Sequence, residues 1–213
     1  MMGVFISIEG IDGSGKSSIK EGILSFLQDY NPVGVREPGG TFISEKIREL
    51  LLDFKNSSIT PRTEAFLYAS SRSQLVDEVI RPALEAGKIV VADRYIDSTL
   101  AYQGYGRGLD LEFLEMLNQL CTGGLKPDLT ILLDIDPEIG IKRRRGKKED
   151  RLEGEGLPFQ EKVRAGYLEL ARREPERIKV IDAGRSLEEV LNDALAAVSL
   201  FLQGSGLNED RAR

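Results

Sequence analysis

The residues Gly10-Ile11-Asp12-Gly13-Ser14-Gly15-Lys16-Ser17 have the spacing G-x-x-x-x-G-K-S, a combination suited to holding phosphate. Glycines let successive backbone N–H groups converge on one oxyanion. The helix that such a loop opens adds partial positive charge at its first turn. Lys16 then reaches the β- and γ-phosphates of a nucleoside triphosphate, and the Ser17 hydroxyl ligates Mg2+. Ser18 follows on the same turn, so the expected cradle runs from Gly10 to Ser18. A chance glycine-rich turn is the competing reading, but here a strand pattern precedes the loop and a helix pattern follows it.

A phosphate loop alone serves kinases, GTPases, ATPases and motors alike. Asp93-Arg94-Tyr95 stands where a third strand ends, and ligands of parallel sheets sit at the carboxyl ends of strands. There Asp93 can hold Mg2+ directly or through water, and Arg94 can bridge two phosphates; a strand-end turn and a surface charge are the plain alternatives. Arg36-Glu37-Pro38-Gly39-Gly40-Thr41 closes the second strand, either as an unusual turn at the site edge or as a simple connector. Five of the six residues 143–148 are basic. They read as a charge-bearing lid, a nucleic-acid patch or a solvated helix end, and the neighbouring Glu149, Asp150, Glu153 and Glu155 weigh against nucleic acid.

The elements that must position these groups alternate between strand and helix patterns. Val4–Glu9 is short, apolar and β-rich, and Ile19, Ile23, Phe26, Leu27 and Tyr30 then fall at helical spacing. Strands follow near 33–36, 89–93, 129–134 and 178–181. The continuous apolar run of the third predicts burial on both faces, as in a parallel sheet. Between them, Ile43, Ile47, Leu50 and Leu51 mark a helix. Thr60-Pro61 caps a longer one through Phe66, Leu67, Leu75, Val76 and Val79, and Leu111, Leu114 and Leu117 mark another. Ser186-Leu187-Glu188-Glu189 has the form of a capping box opening a last helix, with Leu187, Leu191, Leu195 and Val198 inward. The alternation predicts an α/β fold, a doubly wound parallel five-stranded sheet with helices on both faces. Segment 142–157 is charged and nearly devoid of apolar residues, which reads as a mobile flap. The tail 205–213 is polar and expected to fray.

At 213 residues the chain is expected to form one domain, over 1–204. Its net charge of −6 argues against a nucleic-acid partner, which needs a basic face. It has no histidine, which excludes Ser-His-Asp and Cys-His catalysis and every His-ligated metal. No apolar run approaches the ~20 residues of a membrane span, and Met1–Phe5 lacks a signal peptide's basic start. Its one cysteine, Cys121, fits a reducing compartment, so a cytoplasmic location is expected.

Taken together, these motifs resemble the thymidylate kinases, nucleoside-monophosphate kinases that phosphorylate dTMP. The resemblance runs from Ile8-Glu9-Gly10 to the final helix. Its most specific parts are Arg36–Thr41 and Asp93-Arg94-Tyr95 followed by Ser98 and Ala101-Tyr102-Gln103-Gly104, and Ser71-Arg72-Ser73-Gln74 also fits. It is of the bacterial type, whose phosphate loop carries no basic residue between Asp12 and Gly15 and whose lid is basic. The resemblance implies ATP as donor, Mg2+ as cofactor, dTMP as acceptor and a homodimer. By the same resemblance, Asp12 meets the bound nucleotide or its metal, and Glu37 and Pro38 border the dTMP site. Phe66 stacks on thymine, although as a lone residue it reads as a core aromatic. Arg72 donates to a thymine carbonyl, Tyr102 lies against the deoxyribose, and Gln103 reads the base edge with help from Ser98. Arg94, with Arg48, grips the acceptor phosphate. The catalytic lid arginine is one of Arg143, Arg144, Arg145 and Arg151. Other nucleotide or deoxynucleoside kinases are the nearest alternative. A GTP-dependent switch is more remote, because no N-K-x-D guanine motif is present.

Overall fold

The structure is a computed structural model, which describes residues 3–144 and 150–204. Five parallel strands form one sheet in the order β2-β3-β1-β4-β5. β1 (Phe5–Glu9) leads through the glycine loop into α1 (Lys16–Phe26), and β2 (Val33–Arg36) leads into α2 (Phe42–Leu52). α3 (Pro61–Leu75) runs through a π-helical turn over 76–80 into the short α4 (Arg81–Glu85). β3 (Val90–Asp93) is followed by α5 (Ile96–Thr99), a π-helical stretch over 100–106, and α6 (Leu111–Thr122). β4 (Leu129–Asp134), α7 (Pro137–Arg144), α8 (Leu157–Arg173), β5 (Ile178–Asp182) and α9 (Leu187–Gly204) complete the chain.

Pairing sets Ile8 and Arg36 on either side of Asp93, so the ends of β1, β2 and β3 finish at one level. That edge is where the chemistry collects. Alternate residues of each central strand serve opposite faces. Ile6, Ile8 and Val91 join one core cluster with Ile19, Ile23 and Ile131, whereas Phe5, Val35, Val90 and Ala92 join another with Leu75, Ile80 and Tyr95. With both faces covered, these strands need the unbroken apolar runs that the sequence has.

The expected caps are present. The Thr60 hydroxyl accepts from the Thr63 N–H with Pro61 at the first helical position, and Ser186 and Glu189 form the reciprocal box. Two inward assignments need correction. Phe26 and Leu187 are exposed, and the buried stripe of α9 is Val190, Ala194, Val198 and Leu202. Each displaced residue lies at a helix end, where a helical spacing pattern has too few turns to fix its phase. The flap reading also changes in part. Residues 145–149 lie outside the described ones, as does the tail 205–213, but Arg151 and Leu152 are buried against the body. Among the described residues no helix is long and apolar enough to cross a membrane.

Candidate functional site

A cavity of about 440 Å3 opens along the strand-end edge, between the glycine loop, α2, α3, the start of the π-helical stretch and the residues flanking 145–149. At one end is the loop. Gly13 has φ 85°, and a Cβ there would sit 2.3 Å from the Gly140 carbonyl oxygen, so only glycine lets the loop lie on α7. Gly15 has φ 94°, and a Cβ there would meet nothing within 4 Å: the loop leaves a concavity of the kind a phosphate fills. Lys16 Nζ is turned inward, donating to the Ile11 carbonyl at 2.9 Å and lying 3.8 Å from Asp12. Burial, reinforced by the nearby Arg94 charge, pulls its pKa down to about 8. Asp12 moves the other way: burial pushes it up, but Arg94 and Lys16 outweigh this and hold it at about 2. Ser17 and Ser18 also line the cavity. Ile11 belongs to the core beneath, and the Ser14 hydroxyl is buried without a hydrogen-bond partner among the described residues.

Ser17 Oγ donates to Asp93 Oδ2 at 3.0 Å, which brings together the two expected metal ligands. Both are hard oxygen donors, and the described residues contain no group of three or more potential metal-ligating side chains. A site with so few protein ligands suits Mg2+, which keeps several waters and substrate phosphates in its shell.

Arg94 stands at the centre. Its φ of 71° is left-handed, which costs roughly 1–2 kcal/mol for a non-glycine residue. Its own N–H donates to the Ile8 carbonyl at 3.0 Å, and the next N–H, of Tyr95, donates to Glu9 Oε1 at 2.7 Å, so β1 holds the turn. The guanidinium donates to Asp12 Oδ1 at 2.6 Å, to Gly10 O at 3.0 Å and to the hydroxyls of Tyr102, Ser98 and Tyr167. Behind it, buried Glu9 accepts from Ser98 and Tyr167 at 2.6 and 2.9 Å. Burial first, and then the Asp97 charge, push the Glu9 carboxyl up to about 7. Glu9 and Tyr167 carry no site role in the sequence reading, because their roles depend on contacts 86 and 158 residues apart.

The other end of the cavity departs furthest from expectation. Phe66 is 48% exposed, packs edge-on to Phe113 at 5.8 Å and borders a separate shallow depression with Thr60–Thr63 and Leu109. Tyr68 lines the main cavity instead. Two residues along a helix are about 200° apart, so they cannot share a face. Ala65, Ala69 and Arg72 mark the inner face, and stepping back four residues from Arg72 gives Tyr68, a spacing signal present in the sequence. Arg72 reaches the cavity but is 1% exposed and fully engaged. It donates to Glu37 Oε2 at 2.7 Å, to Thr99 and Asn118 at 2.9 and 2.7 Å, and to the Tyr95 carbonyl at 3.0 Å. These contacts fix its position in the cavity lining.

Glu37 lines the cavity beside it. Pro38, joined to Glu37 by a cis peptide, does not line it; its carbonyl accepts from Arg36 and Arg48, each at 2.9 Å. Arg48 lines the cavity too, and burial lowers its pKa. Ser98, Tyr102 and Gln103 are all at the cavity, as expected.

The basic segment divides. Arg143 and Arg144 line the cavity; Arg143 donates to the Ala183 carbonyl at 2.9 Å, and Arg144 lies 3.2 Å from Glu153. Arg145 lies outside the described residues. Arg151 is turned away: its Nε donates to the Leu51 carbonyl at 2.9 Å and its Nη2 pairs with Glu64 at 2.6 Å. It anchors the chain after the basic run and, alone among the described lid arginines, does not line the cavity. Glu153, given no site role by the sequence, is at the cavity.

The chain is similar to known proteins over most of its length. The family model "Thymidylate kinase" matches residues 8–194. A thymidylate kinase from Symbiobacterium thermophilum is 50% identical over 194 residues, covering 90% of this chain and 91% of its own length. One from Caldanaerobacter subterraneus is 50% identical over 207 residues, covering 96% and 99%. Among solved structures, the crystal structure of thymidylate kinase from Ehrlichia chaffeensis superposes with a TM-score of 0.77 at 32% identity, covering 93% of this chain and 99% of that one.

Proposed function

This chain belongs to the thymidylate kinase family, and from that premise we propose that its cavity carries the γ-phosphoryl of ATP to the 5′-phosphate of dTMP, giving dTDP for dTTP synthesis. One observation carries the reading. A single cavity has a phosphate cradle at one end and an aromatic-and-amide pocket at the other, with Arg94 between them.

The acceptor needs no general base. A phosphate monoester's second pKa is about 6, so the attacking oxygen is already ionised near neutrality. A chain without histidine loses nothing by that lack. The barrier is the meeting of two polyanions, and catalysis consists of positioning and electrostatic stabilisation. Lys16 and the loop N–H groups hold the donor phosphates. Arg94 and Arg48 hold the acceptor phosphate, and Arg143 or Arg144 brings charge from the lid segment 142–157. Ser17 and Asp93 would hold Mg2+, which neutralises charge on the donor phosphates when bound. Tyr68 replaces Phe66 as the ring beneath the base, Tyr102 flanks the sugar, and Gln103 meets the base edge.

The same reading extends to assembly and location. α3 packs against both α2 and α6. These helices expose Phe42, Ile43, Leu50, Phe66, Met116 and Leu120, an apolar face suited to a second copy of the chain. The acidic charge and the unpaired cysteine fit a cytoplasmic enzyme with no nucleic-acid partner. The test is ADP release from ATP with each nucleoside monophosphate in turn. The expected result is strong preference for dTMP over dCMP, dAMP and dGMP. Equal turnover of dTMP and dGMP would overturn the thymidylate acceptor and leave a less selective kinase.

A further inference from the structure

Gln103 is the amide at the base end of the cavity, and an amide can present either of two opposite faces. Its oxygen accepts and its nitrogen donates, so its orientation decides which base edge it matches. What sets that orientation is Glu64, on α3. Glu64 is fully buried and absent from every site assignment made above. Its Oε1 accepts from Gln103 Nε2 at 2.8 Å and from Arg107 Nε at 3.2 Å. Its Oε2 accepts from Arg107 Nη2 at 3.1 Å and pairs with Arg151 Nη2 at 2.6 Å. A carboxylate between two guanidinium groups has acceptors only. The amide must therefore turn its nitrogen toward Glu64, which leaves Oε1 as its free acceptor. Arg107 is held in turn by Glu155 at 2.6 Å, so the carboxylate is itself clamped.

We propose that Glu64 is a specificity-determining positioning residue: by holding Gln103 through Nε2, it presents Oε1 to the base, and the pocket selects pyrimidines whose edge offers an N–H. Thymine and uracil carry a hydrogen on N3. Cytosine has a bare acceptor there and would face oxygen with nitrogen lone pair. A site built around a hydrogen bond rejects the analogue that leaves its polar groups unmatched far more strongly than it reads a methyl group. The inference rests on dTMP being the acceptor.

The test compares kcat/KM for dTMP, dUMP and dCMP. In the unaltered chain, dUMP, which shares the N3 hydrogen but lacks the methyl, is expected to exceed dCMP by about tenfold or more. Glu64→Gln offers Gln103 either a donor or an acceptor and should shrink that ratio about fivefold or more. Glu64→Asp keeps the negative charge between Arg107 and Arg151 but withdraws the carboxylate, and it should shrink the ratio too; thermal melts identify folded variants. In a Gln103→Ala background, Glu64→Gln should leave the ratio unchanged, which a merely structural effect would not do. Good use of dTMP with equal use of dUMP and dCMP overturns this inference alone, as does an undiminished ratio in a folded Glu64 variant or an equal loss in the Gln103→Ala background. No transfer to dTMP would overturn the acceptor reading and this inference with it.

Discussion

The two ends of the cavity are built in different ways. At the phosphate end the backbone makes the site: a glycine loop, a helix start, one lysine and one serine, all within nine residues of sequence. At the base end side chains make it, and most are already held by other side chains. Arg72 is locked to Glu37, Asn118 and Thr99, and Gln103 to Glu64. A backbone-built site depends on local sequence and so takes the form of a motif. A side-chain-built site depends on partners 27 to 46 residues away, so that a residue's type does not reveal its role.

This contrast is sharpest in the largest expected effect. Lys16→Met removes the cation that meets the donor phosphates, and kcat should fall by at least about 100-fold. The melt should move little, because Asp12 keeps its 2.6 Å pair with Arg94. A folded Lys16→Met protein with near-normal turnover would show that the loop is not the donor site.

The lid residues separate next. Arg144→Ala should lower kcat by about 100-fold or more, since an arginine brought to a transferring phosphoryl is worth ~10³–10⁵ in related enzymes. Arg151→Ala should instead lower the melting temperature, by about 5 °C or more, by removing a partner from buried Glu64. Steady-state kinetics beside a melt on both variants tests the division. A kcat loss in Arg151→Ala with an unchanged melt would return that arginine to the reaction.

At the base end, Tyr68→Ala should raise the dTMP KM about tenfold while sparing that of ATP, because stacking on a base is worth ~1–3 kcal/mol. Phe66→Ala should change both KM values by less than about twofold. The opposite pattern would restore Phe66 to the site.

The smallest expected effect concerns pH. Glu9 is raised to about 7 in the fold from 4.5. The folded chain therefore keeps a proton that the unfolded chain releases, so this contribution to stability is complete below pH 4.5 and is lost as pH rises through about 7. Asp12, lowered from 3.8 to about 2, acts in the opposite direction: its contribution is present above pH 3.8 and is lost as pH falls toward 2. Denaturant melts from pH 4.5 to 8 should therefore show a declining component that Glu9→Gln removes. An identical slope in that variant would assign the proton elsewhere.

The same contrast explains what the sequence made legible. Strand positions, the glycine loop, the Thr60 and Ser186 caps and the Ser17–Asp93 pairing follow from local pattern, sheet logic and known loop chemistry. The helical spacing of Ala65, Ala69 and Arg72 points to Tyr68 as the ring at the cavity, whereas the resemblance points to Phe66. Arg151 was not separable from the basic run before it, since only the fold shows that its partner is Glu64 and that Leu152 beside it is buried. Glu9, Glu64 and Tyr167 were silent for the same reason: each acts through a tertiary hydrogen bond.

The central claim is that the two ends act on one phosphoryl group. Phosphorus NMR of ATP incubated with the protein and Mg2+, with and without dTMP, tests it most directly. The account predicts dTDP and ADP forming one-to-one, and only when dTMP is present. ADP accumulating with inorganic phosphate, and no dTDP, would contradict it.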